Sequence, residues 1–86
     1  MAIDVKYGKV TLEHGSIGED EPIIIFRAKD VLLPKVLMYY HLFCLKEGSP
    51  KWHLNLILTS LDRVKDWQNK NPALVRIPSS GASKNE

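Results

Sequence analysis

The chain of 86 residues contains a single cysteine, Cys44. That excludes an internal disulfide and any zinc site built from several thiolates. It also lacks a dominant charge: twelve basic residues against ten acidic ones leave +2. No apolar run approaches the roughly 18 residues of a membrane helix, and the opening Ala2-Ile3-Asp4-Val5-Lys6 has no signal-peptide core. A cytoplasmic location without a membrane partner is therefore expected. Five glycines are scattered, and Gly15 and Gly18 lack the GK[ST] ending of a phosphate loop. What remains is 44% hydrophobic and 26% charged, the composition of a folded chain. A single α+β domain over residues 1–78 is expected, with 79–86 a small, polar, disordered tail.

Tyr7–Glu13 alternates, with Val10 and Leu12 inward, and reads as a short strand. Gly15-Ser16-Ile17-Gly18 and the acidic Glu19-Asp20-Glu21 then form a loop. Ile23-Ile24-Ile25-Phe26 is β-branched and aromatic, apolar on both faces, as in a strand covered on both sides. The short connection between these strands favours an antiparallel pair. Asp30 is the candidate N-cap of a first helix that begins between Val31 and Pro34 and ends at Gly48. Ser49 and Pro50 then read as the N-cap and first residue of a second helix, which runs to about Asn69. The two-residue link requires an antiparallel hairpin. Leu74–Ile77 is a possible third strand. The fold expected is a small antiparallel β-layer of two or three strands, packed on an antiparallel two-helix hairpin.

At about 100° per residue, Leu33, Val36, Leu37, Tyr40, Phe43 and Cys44 form the core stripe of the first helix. Met38, Leu42 and Leu45 lie nearly opposite, with Tyr39 on their flank. On the second helix Leu54, Ile57, Leu58, Leu61 and Val64 face inward, while Trp52, Leu56 and Arg63 lie on the far side. One shared core of Ile24, Phe26, Leu37, Tyr40, Leu58 and Leu61 is expected. The second stripe either packs under a central helix or meets a partner. Aromatics and arginine favour an interface, which makes Met38, Tyr39, Leu42, Leu45, Trp52, Leu56 and Arg63 the candidate contact residues.

No catalytic, cofactor-binding or metal-binding residues are assigned. His14, His41 and His53 lack zinc-ligand spacing, and nothing orients His41 toward Cys44 as a base. The expectation is a non-enzymatic protein-interaction module, homodimeric, with a further protein partner of unknown identity. Two alternatives stand. Residues 31–86 carry eight basic and four acidic groups, so the second helix, with Lys51, Arg63, Lys65 and Lys70, could bind nucleic acid. A pocket between the first helix and the sheet, lined by Tyr39 or Tyr40, could bind a small molecule. Glu21–Asp30, followed by a hairpin ending Asp66-Trp67-Gln68, resembles a class of small uncharacterised proteins of phages and other mobile elements. That resemblance implies an accessory protein acting by binding, and brings no site residues.

Overall fold

Where local signals are densest, the helices form. The computed structural model describes residues 2–78, and the tail expected over 79–86 lies outside them. Helix α1 spans Leu33–Lys46, with Pro34 in its first turn, where the missing N–H costs no hydrogen bond. Asp30 acts one turn early: its Oδ1 accepts the Leu32 N–H at 2.8 Å, while Leu32, at the N-cap, makes no side-chain cap bond. At the other end Gly48 takes φ 83°. The Gly48 N–H donates to the Leu45 carbonyl at 3.3 Å and the Ser49 N–H to the Cys44 carbonyl at 2.9 Å. This is a Schellman stop, which glycine enters without steric cost. A Cβ at Gly48 would meet no neighbour, so Gly48→Ala should cost only the left-handed strain, about 1–2 kcal/mol. The thermal midpoint should fall by roughly 4–16 °C, followed by circular dichroism.

Helix α2 spans Lys51–Lys70. The expected cap shifts by one residue: Pro50, not Ser49, occupies the N-cap, with φ −64° and ψ 152°. Proline's fixed φ suits that extended position, and the Pro50 carbonyl accepts the His53 and Leu54 N–H groups at 3.0 and 3.2 Å. Asn71 closes the helix, donating from its side chain to the Trp67 carbonyl at 2.9 Å. A 3-10 turn follows at Pro72–Leu74.

The β-structure departs further from expectation. Strand β1 is Ala2–Asp4, β2 is Gly8–Val10 and β3 is Pro22–Ile23. The order is β2-β1-β3, with β1 antiparallel to β2 and parallel to β3. The two expected strands thus shrink, and they pair with a third segment rather than with each other. Asp4 explains much of this. It is 4% exposed, and its Oδ1 accepts the Lys6 and Tyr7 N–H groups at 2.8 and 2.7 Å. Its Oδ2 accepts the Ile25 N–H at 3.0 Å. The carboxylate therefore shapes the β1–β2 turn, which exits through Gly8 at φ 87°. It also takes the donor that β3 would need to continue its ladder. Leu74–Ile77 is no strand either, since Leu74 lies in the 3-10 turn and Arg76 forms one isolated parallel bridge to Asp30.

Among the described residues, contacts join the strands to one another and α1 to α2, but none joins a strand to a helix. Mixed α and β content is present, as expected of a small α+β fold, although no strand backbone closely approaches a helix. The connection is made by the loop before α1. The Gln68 amide nitrogen donates to the carbonyls of Ala28 and Asp30, both at 2.9 Å. Arg76 donates its backbone N–H to the Lys29 carbonyl, and Val31 to the Arg76 carbonyl, each at 3.0 Å.

The core is accordingly narrow. Leu33, Cys44, Ile57 and Leu61 are its buried apolar residues, with Leu37, Leu54 and Val64 half-buried beside them. With the half-buried His41 included, their spacing of three and four residues marks a single seam between two antiparallel helices, the a/d pattern of a coiled coil. Of the six residues expected to share one core, only Leu61 is buried. Leu37 is half-buried, whereas Tyr40 and Leu58 are exposed. Ile24 is 78% exposed and Phe26 51%, because the strand that was to bury them stops at Ile23.

Candidate interaction surface

Helix α1 carries far more apolar surface than its seam uses. At about 100° per residue the apolar side chains occupy roughly 300° of its circumference. Lys35 and Lys46 share the narrow remaining arc, and His41 sits between the seam and the Met38 flank. A helix this apolar belongs inside a structure. Here Val36, Met38, Tyr39, Tyr40, Leu42, Phe43 and Leu45 are all exposed.

These exposed residues fall on two opposite flanks of the seam. One holds Met38, Leu42 and Leu45. The other holds Val36, Tyr40 and Phe43, with Tyr39 at its margin. The antiparallel pairing of α2 determines what joins each flank. The Tyr40 ring meets the His53 imidazole edge-on at 6.1 Å, and the Trp52 ring meets it from the other side at 5.6 Å. Trp52 and Leu56 therefore extend the Tyr40 flank into an aromatic face. By helical phase Leu58 falls on the other side of α2, the side that corresponds to Met38, Leu42 and Leu45 on α1, and the four are taken as an aliphatic face. The residues singled out from the sequence are thus exposed but divided: Met38, Leu42 and Leu45 on one face, and Tyr39, Trp52, Leu56 and Arg63 on or beside the other. Met38 is 55% exposed and Trp52 66%. Val36, Tyr40, Phe43 and Leu58 belong to these faces too; a wide-stripe reading placed them in the core, and only the narrowness of the seam reveals them.

The chemistry on this surface is quiet. Cys44 is a buried free thiol. The neighbouring Cys44 side chain, with a lesser effect of burial, pushes the ionisation of the Tyr40 phenol above its ordinary 10.0. Tyr40 is thus a neutral, polar-tipped ring at neutral pH. Among the described residues no group of three or more His, Cys, Asp or Glu could hold a metal ion. The basic residues of α2 do not form a stripe. Lys51 and Lys65 leave on one side of the helix, Arg63 and Lys70 on the other, and Lys70 pairs with Asp66 at 3.0 Å. A pocket of about 360 Å³ does lie between α1 and the β1–β2 turn, but Tyr7 lines it rather than Tyr39 or Tyr40, with Phe26, Leu32 and Val36. No helix among the described residues is long and apolar enough to cross a membrane. No protein-family model matches the chain, and no curated protein or solved structure matches it either.

Proposed function

We propose that the chain is a non-enzymatic interaction module that pairs with a second copy of itself through the helical hairpin. One observation carries the reading: α1 is apolar around most of its circumference and buried along one seam only. Contiguous apolar patches of this kind are seldom left wet on a monomer. The aliphatic face of Met38, Leu42, Leu45 and Leu58 is the contact surface. It is free of aromatic bulk and suits helix-on-helix packing. A twofold axis covers the same patch on both copies at once. A cytoplasmic setting goes with this reading.

Light scattering on a sizing column at tens of micromolar tests it. The expected mass is twice the 9.8 kDa of the chain, and a mass equal to one chain overturns the proposal. Leu42→Asp should return a soluble single chain with its helical signal intact. If that variant unfolds instead, Leu42 belongs to the core and the face is wrongly assigned. Leu56→Asp, on the aromatic face, should remain paired.

A further inference from the structure

The segment Arg27–Lys29 is ringed by three hollows of about 360, 540 and 330 Å³. Their walls are shared. Arg27, Lys29 and Arg76 line the first and second, Trp67 lines the second and third, and Phe26 lines the first and third. Arg63 completes the third. Cations and aromatic rings therefore line the same three adjoining hollows. Asp30 supplies the sole carboxylate among these walls, and its Oδ1 is turned to the Leu32 N–H at 2.8 Å.

The surface is also fixed in place. The Gln68 amide holds the Ala28 and Asp30 carbonyls at 2.9 Å, and the Arg76 N–H donates to the Lys29 carbonyl at 3.0 Å. Arg27 and Arg63 are exposed on it, Phe26 is half exposed, and Trp67 is half-buried. Guanidinium groups beside accessible ring faces suit a ligand that offers phosphates and flat bases together. A duplex keeps its base faces stacked and out of reach, whereas a single strand can place them on the rings. The aliphatic face of the hairpin has neither group.

We propose that this surface binds single-stranded nucleic acid, with phosphates on Arg27 and Arg63 and bases stacked on Phe26 and Trp67. Fluorescence anisotropy of the full chain with a labelled oligothymidylate or oligouridylate of about twelve nucleotides tests it. Two phosphate contacts predict about a 25-fold loss of affinity between about 20 and 200 mM salt. The double variant Arg27→Glu, Arg63→Glu should weaken low-salt binding at least about tenfold. Phe26→Leu, with circular dichroism to confirm intact helices, should weaken binding at least about fivefold at both salt concentrations. Failure of both oligomers to bind at low salt overturns the proposal. So does a duplex that competes as well as the single strand, or a Phe26→Leu variant that binds like the parent. Either of the last two would show a charged surface without stacking. A single-chain mass in the light-scattering measurement would leave this result untouched, because the aliphatic face takes no part in it.

Discussion

Leu61→Ala should cost about 2–5 kcal/mol and lower the thermal midpoint by more than about 10 °C. Leu61 is 6% exposed, and beside it the hairpin buries only Leu33, Ile57 and Cys44 as deeply. Truncation removes the transfer energy of the leucine and leaves a cavity that two rigid helices cannot easily close. A chain this small holds about 5 kcal/mol in reserve, near the lower end of the usual range. The variant should therefore be substantially unfolded at 37 °C. Leu56→Ala supplies the comparison. Leu56 is exposed on the aromatic face, so losing it should cost less than half as much. Both melts are read at 222 nm, at one protein concentration because pairing shifts apparent stability. Equal losses in the two variants would show that the seam is misplaced.

The second large effect lies at the opposite end of the molecule. Asp4→Ala should release the strands while leaving the helices folded. One carboxylate satisfies the N–H groups of Lys6, Tyr7 and Ile25, and alanine strands all three. The helices should survive because no strand backbone closely approaches either of them. Asp4→Asn should be intermediate: its remaining oxygen can keep the turn, but its amide group cannot accept the Ile25 N–H. Acid should mimic these variants. The Tyr7 N–H lowers the Asp4 pKa below its ordinary 3.8, with further help from the Ile25 and Lys6 N–H groups and the Lys6 charge, against the opposing effect of burial. A lowered folded-state pKa means that the charged form stabilises the fold above 3.8. That contribution drains away as pH falls from there through the lower folded-state value. Backbone amide spectra should show Lys6, Tyr7 and Ile25 losing their shifts together in acid while the α1 and α2 signals hold. Signals from strands and helices lost in a single step would refute the independence of the two parts.

The hairpin was largely legible in the sequence because its determinants are local. Gly48 stops α1 and Pro50 starts α2, and both act within a turn of where they stand. Strands of two or three residues show too little alternation to be read by period. Their pairing also rests on Asp4 reaching Ile25, twenty-one residues on, which no window of sequence reveals. The candidate surface was half legible. Periodicity identified Met38, Leu42 and Leu45 as unneeded by the core. It could not separate them from Trp52 and Leu56, because that division depends on which side of α2 turns toward Tyr40. Nor could it show that Val36 and Phe43 are left outside, since a wide stripe and a narrow seam share the same spacing.

Gln68 imposes an order on biosynthesis. The loop that carries Arg27 to Asp30 leaves the ribosome before the amide and bridge partners that hold it, Gln68 and Arg76, have been made. At about 5–20 residues per second, roughly 2–10 s separate Asp30 from Arg76. During that interval the loop lacks both the Gln68 amide and the Arg76 bridge, and Phe26 has no Trp67 nearby. A nascent chain thus holds this loop untethered for seconds, with the exposed Ile24, Ile25 and Phe26 just before it.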